Sequence, residues 1–401
     1  MNIGILRETK SPIDNRTPFI PSHCNYLIEK LNYKITVQPS PIRCYSDNDY
    51  LEAGCELLDD VSNCDIVFGI KEVKIDCLLP GLTYFIFSHT KKKQSHNRPL
   101  LQAILEKNIT LCDYECLIGN DNKRLLGFGN WAGIVGAHNG LLEYGKRTGK
   151  YKLQAAHRLL DYNALKLEYK DIQLPKLKIA VTGSGRVADG ALELLQYLKI
   201  KQLSIEQYAN QTFNEPVFVH LYGETLYINK NDKTYDRGAF HAKPEDYTST
   251  FKQVMPHTDL LINGVYWDTK IPRLFELNEV KSKDWRMYTI ADISCDEGGS
   301  VPITLISTTI DKPTFGYDID KKIVCQPYQK NTIDIMAVDN LPNELPRDAS
   351  GFFGDRLIEF VLPQLLDPTS TIIYNATIAK GGELNIPFLY LSDYVLENAI
   401  I

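Results

Sequence analysis

Three short apolar segments in the first third of the chain run directly into ionisable residues. They are 65–70, followed by Lys71 and Glu72, 83–88, followed by His89, and 108–112, followed shortly by Glu115. Their composition is typical of buried strands in a parallel sheet. Because ligands bind outside the carboxyl ends of such strands, we expect Lys71, His89 and Glu115 to converge on one crevice.

A lysine and a histidine at one site can carry protons to and from a substrate. Histidine titrates near neutral pH without help, whereas a lysine needs burial or a neighbouring cation such as Arg16 to lower its pKa. Each residue also has an ordinary explanation. A lysine at a strand end is usually a solvated charge, and Glu115 could merely neutralise Lys71. Three such residues at neighbouring strand ends favour a shared function.

A glycine-rich stretch at 176–198 carries the second chemical feature. An apolar strand runs into Gly183 and Gly185, and an amphipathic helix follows at once. This order is typical of a dinucleotide-binding turn, in which the glycines admit the pyrophosphate to the helix N-terminus. An ordinary turn between strand and helix in another α/β domain is the alternative. The residues expected at the cofactor are Gly183, Ser184, Gly185, Arg186 and Val187.

The choice of cofactor depends on the strand after this helix. We predict a strand at 202–205 that ends near Glu206, about twenty residues beyond the glycine turn. A carboxylate there would accept hydrogen bonds from the adenosine ribose and repel a 2′-phosphate, which favours NAD. Arg186 lies within the turn, so NADP stays an alternative.

Composition and length narrow the class of protein. The 401 residues suggest two domains, and a net charge of −6 without a long basic run makes nucleic acid an unexpected partner. The nine cysteines form no C-x-x-C pair or zinc pattern, so we expect reduced thiols and no metal. The chain opens on a strand at 3–6 with no signal peptide, and no apolar run is long enough to cross a membrane. We therefore expect a cytoplasmic protein.

The order of elements predicts an α/β fold of two Rossmann-like, doubly wound domains with a cleft between them. Residues 1–133 and 343–401 form the predicted substrate-binding domain, and 134–342 the dinucleotide-binding domain. A glycine-rich helix at 131–146 connects them, and its glycines predict close packing. The remaining expected elements are helices at 151–162, 349–366 and 389–399, strands at 258–265, 288–294 and 335–338, and a hairpin insert or distorted strand at 216–228.

Seven segments resemble the lysine-forming saccharopine dehydrogenases and the lysine–oxoglutarate reductase half of the bifunctional lysine-degrading enzymes. More distantly, the chain is similar to alanine dehydrogenase and the first part of transhydrogenase. The segments are LRETKSPIDNRTPFIP at 6–21, FGIKE at 68–72, FSHTKKKQ at 87–94, LCDYECL at 111–117, RLLGFGNWAGIVGA at 124–137, GSGRVADGA at 183–191 and VDNLPNELPRDAS at 338–350.

The resemblance implies a role for each matching residue. It implies that Lys71 and His89 are the catalytic acid–base pair and that Glu72 and Glu115 tune it. It places cations around the substrate carboxylates, and it assigns two residues to the cofactor. These cations are Lys10, Arg16 and Arg124, and the two cofactor residues are Asp339 and Leu341. Residues 206–235 match nothing in the family, so the contacts of the adenosine stay open.

Three functions are compatible with these sequence features. The first is an NAD-linked enzyme that joins lysine to 2-oxoglutarate, or reverses that step, through an imine. The second is reductive amination of a small 2-oxo acid by ammonia, as in alanine dehydrogenase. The third is a dinucleotide-binding protein without turnover, which Lys71, His89 and Arg16 argue against. The expected partners are small amino acids and 2-oxo acids. The sequence leaves the direction and the oligomeric state, monomer or homo-oligomer, undetermined.

Overall fold

A computed structural model describes residues 1–396. Within it the chain divides into two compact units. Unit 1 comprises Met1–Gly127 and Pro346–Ile401, and unit 2 is Phe128–Leu345. Each unit is a mostly parallel sheet flanked by helices, which confirms the predicted α/β fold with two Rossmann-like domains. All nine cysteines are free.

The N-terminal part of unit 1 alternates strands and helices. Its elements are β1 Asn2–Ile5, α1 Pro21–Leu31, β2 Lys34–Val37, α2 Asp47–Glu52, β3 Glu56–Leu57, β4 Ile66–Phe68, β5 Thr83–Ile86, α3 Arg98–Glu106 and β6 Thr110–Asp113.

Unit 2 contains the next sixteen elements. They are α4 Gly129–Thr148, α5 Tyr162–Glu168, β7 Lys178–Thr182, α6 Arg186–Tyr197, β8 Lys201–Gln202, α7 Ile205–Asn210, β9 Val217–Leu221, α8 Gly223–Leu226, β10 Tyr227–Asn229, α9 Arg237–Ala242, β11 Tyr247–Ser249, β12 Leu260–Asn263, β13 Thr289–Asp292, β14 Thr314–Asp318, β15 Ile323–Cys325 and β16 Thr332–Met336.

The chain then returns to unit 1. The remaining elements are α10 Pro346–Arg356, α11 Leu362–Leu365, α12 Thr371–Ala376, β17 Thr377–Lys380, β18 Glu383–Leu384 and α13 Ser392–Leu396. A π-helical turn at Leu357–Val361 joins α10 to α11, so the predicted helix at 349–366 is confirmed. The helix predicted at 389–399 is α13 in part, and its last residues lie outside the described part of the chain.

The sheet of unit 1 has eight strands in the order β18-β17-β6-β5-β4-β1-β2-β3. The six strands β1–β6 are parallel, and β17 and β18 are added antiparallel at one edge. The central strands are apolar, and Ile3, Ile5, Val67 and Phe85 are fully buried. Burial on both faces explains why these strands read as continuous apolar runs.

The sheet of unit 2 also has eight strands, in the order β15-β14-β16-β13-β12-β7-β9-β8. The strands β8, β9, β7, β12, β13 and β16 are parallel, and β14 and β15 run antiparallel at one edge. The strands predicted at 258–265, 288–294 and 335–338 correspond to β12, β13 and β16.

Two segments of unit 2 differ in detail from their sequence predictions. The segment 216–228, predicted as a hairpin insert or a distorted strand, begins with the sheet strand β9, which pairs with β7 over five residues from Lys178 and Val217 onward. The segment 151–162 forms a 3-10 turn at Ala156–Arg158 instead of a helix. The backbone of Gln154 is engaged by side chains, because its carbonyl bonds to His138 and its amide to Glu168.

The glycines of α4 make the predicted close contacts. A Cβ atom on Gly133 would lie 1.9 Å from the carbonyl oxygen of Val187, and one on Gly190 of α6 would lie 1.9 Å from that of Asn130. Glycine at both positions therefore lets the two helix backbones touch. This contact holds the first turn of α6 at a fixed place against α4.

Candidate active site

The predicted catalytic residues follow the carboxyl ends of three adjacent strands in unit 1. Strand β5 lies between β4 and β6, and all three are parallel. Lys71 and Glu72 follow β4, His89 follows β5, and Glu115 follows β6. The structure therefore brings these residues to the side of one sheet at which the parallel strands have their carboxyl ends. We call this side the strand edge.

Glu72 connects the strand ends through its carboxylate. Its Oε1 lies 2.7 Å from Nδ1 of His89 and 3.0 Å from Nζ of Lys10. Burial would raise the pKa of Glu72, but the hydrogen bond and charge of His89, with Lys10, lower it to about 2. Glu72 is thus an anion at neutral pH, and it orients the imidazole so that Nε2 is left for other partners.

Glu8 positions the backbone of Lys71. The carboxylate of Glu8 accepts hydrogen bonds from the amides of Ile70, at 2.7 Å, and Lys71, at 2.9 Å. Burial and the charge of Asp14 raise the pKa of Glu8 to about 7, although the two amides and Arg16 act in the opposite direction. Sequence analysis missed this residue, whose partners lie 62 and 63 positions away.

The pKa of the Lys71 amine is lowered by burial and by the cations Arg16 and Lys10. Asp14 and Glu72 act in the opposite direction without reversing the shift. The lowering of the Lys71 pKa by the charge of Arg16 agrees with the expectation from the sequence. A lysine of lowered pKa can accept and release a proton closer to neutral pH than an exposed lysine can.

Arg16 itself is buried and paired. Its side chain is 3% exposed, and Nε and Nη2 donate to the two carboxylate oxygens of Asp14 at 2.9 and 2.6 Å. Burial would raise the pKa of Asp14, but this fork of charge-assisted bonds lowers it to about 2. The expected role of Arg16 at a substrate carboxylate stays a prediction. The geometry shows an arginine whose guanidinium is paired with a buried carboxylate within the fold.

Glu115 and Arg124 form a second ion pair at the same edge. Nη2 of Arg124 lies 3.2 Å from Oε1 of Glu115, and Nζ of Lys91 lies 4.0 Å from Oε2. Glu115 is buried, whereas the side chain of Arg124 is 42% exposed. Arg124 therefore has surface available for a ligand as well as a partner that holds it in place.

Asp113, at the end of β6, supports the residue before His89. Its carboxylate accepts hydrogen bonds from both the backbone amide and the hydroxyl of Ser88. Burial raises the pKa of Asp113, which is fully inaccessible. His89 itself has a φ of 52°, a left-handed conformation that is uncommon outside glycine, and its carbonyl accepts from Asn97. The side chain of His89 is thus held by Glu72 and its backbone by its neighbours.

The glycine turn of unit 2 has the geometry of a phosphate-binding turn. Gly183 has a φ of 112°, and a Cβ atom there would lie 2.5 Å from the carbonyl oxygen of Gly264, so only glycine fits. Gly185 caps the N-terminus of α6, and a Cβ atom there would meet nothing within 4 Å. Ser184 and Gly185 are exposed and Arg186 and Val187 partly exposed, so the first turn of α6 is open to a ligand.

The predicted position of Glu206 is wrong. No strand runs through 202–205: β8 is only Lys201–Gln202 at the sheet edge, and Glu206 lies exposed in the first turn of α7. On the side of β7 away from β12, the neighbouring strand is β9, whose apolar residues suit the sheet interior, whereas the two polar residues of β8 are exposed at the edge. Glu224, in the first turn of α8, follows the carboxyl end of β9.

The two remaining predicted cofactor residues follow β16. Asp339 lies three residues after the end of β16, and it is exposed. Leu341 is 1% exposed, and its Cδ1 atom packs near Gly136 of α4. A structural role therefore suits the Leu341 side chain, whereas Asp339 has surface with which to meet a cofactor.

Known proteins resemble this chain over nearly all of its length. Residues 4–135 match the family described as alanine dehydrogenase/PNT, N-terminal domain. The saccharopine dehydrogenase (NAD(+), L-lysine-forming) of Emericella nidulans is 25% identical over 94% of this chain and 94% of its own. The alpha-aminoadipic semialdehyde synthase of Arabidopsis thaliana is 33% identical over 97% of this chain. This chain is therefore similar to the saccharopine dehydrogenases and to part of the alpha-aminoadipic semialdehyde synthases.

This chain spans less than half the length of the alpha-aminoadipic semialdehyde synthases that it matches. It covers 41% of the Arabidopsis thaliana protein and 47% of the mitochondrial protein of Mus musculus, with which it is 30% identical. Among solved structures, L-alanine dehydrogenase has a TM-score of 0.64 at 15% identity, and the match covers 98% of this chain and 100% of that structure. A transhydrogenase from Sinorhizobium meliloti has a TM-score of 0.62 at 13% identity, covering 96% and 100%. These two likenesses establish the fold.

A buried polar network in unit 2 was also not predicted from the sequence. The side-chain amide of Asn263 donates to Asp292 and Ser300, each at 2.8 Å, and its oxygen accepts from Thr182 at 2.7 Å. These residues join the ends of β7, β12 and β13 beside the glycine turn. The only sequence signal was a polar residue at the end of each apolar strand.

No helix in residues 1–396 has both the length and the apolar character that crossing a membrane requires. Within the same residues, no three histidine, cysteine or acidic side chains come together as a metal site would require.

Proposed function

We propose that this chain is an NAD(P)-dependent amino-acid dehydrogenase that acts on CH–NH donors and interconverts saccharopine with L-lysine and 2-oxoglutarate. The observation that carries the proposal is the hydrogen bond between His89 and Glu72 at a strand edge shared with Lys71. The names of the relatives suggest the substrates. This chain covers only part of the longer relatives, so the activity of the whole protein is part of the proposal.

The residues of unit 1 suit the protons that this reaction moves. In the reductive direction, the ε-amine of lysine attacks the ketone of 2-oxoglutarate, and the carbinolamine loses water to form an imine. The amine must lose a proton, and the departing hydroxyl must gain one. Lys71, with its lowered pKa, and Nε2 of His89 are the groups proposed to carry these protons. Glu72 keeps the imidazole in position throughout.

Cations at the same edge suit the carboxylates of the substrates. Lys10, Lys91 and Arg124 are all partly exposed and each is held by an acidic partner. An arginine can bind a carboxylate through two parallel hydrogen bonds. We infer that Arg124 and Lys10 bind substrate, and that Arg16 contributes chiefly through its charge beside Lys71.

The glycine turn of unit 2 suits a nicotinamide dinucleotide. The open space in front of Gly185 and the free N-terminus of α6 fit a pyrophosphate. When bound, the cofactor supplies or accepts the hydride. Gly183, Ser184, Gly185, Arg186 and Val187 are the residues proposed to hold its phosphates, and Asp339 is proposed to contact it further along the sheet. NAD is the proposed cofactor, and NADP is the alternative.

The decisive experiment follows NADH absorbance with two substrate pairs on the same purified protein. We expect oxidation of NADH with 2-oxoglutarate plus L-lysine, and much slower oxidation with pyruvate plus ammonia. Faster turnover of pyruvate plus ammonia would replace the proposal with alanine-dehydrogenase-like amination of a small 2-oxo acid. Binding of NADH without turnover of either pair would indicate a dinucleotide-binding protein.

We also infer that the partners are small amino acids and 2-oxo acids and not nucleic acids, and that the protein is cytoplasmic. The charge of the chain supports the first inference. The second needs a direct test, because the relative from Mus musculus is described as mitochondrial. Fluorescence microscopy of the tagged full-length protein would locate it, and light scattering would give its oligomeric state.

A further inference from the structure

A cavity of about 570 Å³ lies beside α4 in unit 2. It is lined by the middle of α4 with Lys146, the irregular segment 152–158, the loop 310–313 with Asp311, and the side chains of Glu168 and Glu344. No residue of the glycine turn lines it, and the predicted substrate residues all belong to unit 1. The volume falls within the range of about 300–1,000 Å³ that is usual for small-molecule sites. The proposed dehydrogenase reaction makes no use of this cavity.

The cavity contains one deeply buried carboxylate, that of Glu344, with Asn139 as its hydrogen-bond partner. We call these two residues the acidic end. Their exposed fractions are 2% and 3%. Oε1 of Glu344 accepts a hydrogen bond of 2.8 Å from Nδ2 of Asn139, whereas Oε2 has only His157, with Nδ1 at 3.4 Å. In residues 1–396 no lysine or arginine pairs with Glu344. A buried carboxylate without a firm cationic partner favours binding of a cation.

Asn139 adds a second acceptor to this acidic end. Its Nδ2 is used by Glu344, and within the described part of the chain its Oδ1 accepts no hydrogen bond. An ammonium group has three N–H donors and no acceptor. Oε2 of Glu344 and Oδ1 of Asn139 are therefore complementary to an ammonium, and a neutral or anionic group would gain less from them.

Two basic residues, Lys152 and Arg158, also line the cavity, and we call them the basic rim. Both side chains line the cavity and are exposed. Among the described residues neither forms an ion pair, so their charges are available to an anion. The cavity also has an apolar wall, made of Leu142, Leu153 and Ile310. A site with an acidic end, a basic rim and an apolar wall matches a molecule with one charge of each sign and a hydrocarbon chain.

We propose that this cavity is a binding site for a free α-amino acid with an uncharged aliphatic side chain. The ammonium group binds at the acidic end, the carboxylate binds at the basic rim, and the side chain lies against the apolar wall. Glu344 ends the 3-10 helix Leu341–Glu344 and is followed by Leu345, the last residue of unit 2. The bound amino acid therefore contacts the segment through which the chain leaves this unit.

Titration calorimetry on the full-length protein tests the site directly. The probe is L-leucine, and its two controls are 4-methylpentanoate, which lacks the ammonium, and 3-methylbutylamine, which lacks the carboxylate. We expect saturable binding of L-leucine and at least about tenfold weaker binding of each control, because each loses one charged contact. No saturable heat with L-leucine up to about 10 mM, for a protein shown to be folded, would overturn the proposal.

Three variants and a matched control assign the binding to this cavity. Glu344→Gln keeps the shape of the side chain and removes its charge, so affinity should fall by about tenfold. Lys152→Met and Arg158→Met change exposed side chains that folding does not need, and each should weaken binding several-fold. Lys150→Met removes a lysine two residues away that does not line the cavity, and binding should be unchanged. Equal affinity for L-leucine in all four variants would refute the site even if the protein binds this amino acid.

Discussion

Nδ1 of His89 and Oε1 of Glu72 lie 2.7 Å apart, across the ends of the neighbouring strands β5 and β4. Glu72 also binds Lys10, so one carboxylate orients the imidazole and fixes a cation beside it. Seventeen residues separate the two partners along the chain. Only the parallel pairing of their strands brings the two side chains together.

His89→Gln and Lys71→Met should each reduce turnover far more than they reduce cofactor affinity. General acid–base groups contribute about 10²–10⁴-fold in rate, and neither substitute can carry a proton. The double variant should lose less than the product of the two single effects, since residues that act as a unit are not additive. Steady-state kinetics and NADH fluorescence measure the two quantities. His96→Gln and Lys74→Met, both at exposed positions, are the controls, and near-normal kcat in both test variants would reject the proposed roles.

Arg16→Ala should destabilise the fold. The substitution leaves the carboxylate of Asp14 buried without its partner, and breaking a buried pair costs about 3–5 kcal/mol. Arg7→Ala is the matched control, because Arg7 pairs with Asp59 at the surface and such pairs contribute at most about 1 kcal/mol. Urea unfolding gives both values. A stable Arg16→Ala protein with a raised KM for 2-oxoglutarate would instead support direct binding of substrate by Arg16.

Glu8 should make stability depend on pH near neutrality. Its folded-state pKa of about 7 lies above its ordinary value of 4.5. The stability that its neutral form contributes is therefore complete below about pH 4.5 and is lost as pH rises through about 7. Glu8→Gln does not titrate, so its stability relative to the wild type should improve over this window by up to about 3 kcal/mol. Urea unfolding at several pH values checks this, and parallel curves for the two proteins would contradict it.

Gly183→Ala should lower the stability of the protein, whereas Gly185→Ala should lower its affinity for NADH. At Gly183 a methyl group meets the carbonyl of Gly264 and the φ is left-handed, so stability should fall by about 1–3 kcal/mol or more. At Gly185 the φ of −110° suits alanine and the methyl group enters open space, so the protein should fold normally. NADH affinity should nevertheless fall in Gly185→Ala, since that space is where the pyrophosphate is proposed to bind. Thermal melting and fluorescence titration separate the two effects, and normal NADH affinity in Gly185→Ala would exclude this turn as the phosphate site.

Glu224, not Glu206, should influence the choice between NAD and NADP. Glu224 follows β9, the strand next to β7, and a carboxylate at that position repels a 2′-phosphate. Glu224→Ala should raise the Kd for NADH and narrow its difference from that for NADPH. Glu206→Ala, which changes an exposed residue in the first turn of α7, should leave both values unchanged. A wild-type protein that prefers NADPH would show that neither carboxylate has this role.

Local patterns in the sequence were enough to predict the fold class and the main candidate residues. A buried parallel strand is apolar on both faces, so β4, β5 and β6 were recognisable as runs, with Lys71, His89 and Glu115 after their ends. The glycine turn was equally recognisable. Position 183 has a left-handed φ and no room for a Cβ atom, so it requires glycine. These features depend on neighbours within a few residues, and such neighbours are visible in a sequence.

The tertiary structure alone decided which distant residues meet. Glu8 binds amides 62 and 63 positions away, and Glu344 binds an amide 205 positions away. The order of strands was also hidden from the sequence, which is why the segment of β9 was left as either an insert or a distorted strand and Glu206 was placed at the cofactor. Hydrophobic periodicity shows that a strand is buried but not which strand lies beside it, because pairing is settled by packing between segments far apart in the chain. The partners of Arg16 and Lys71, and with them the charges around the candidate site, follow from that packing.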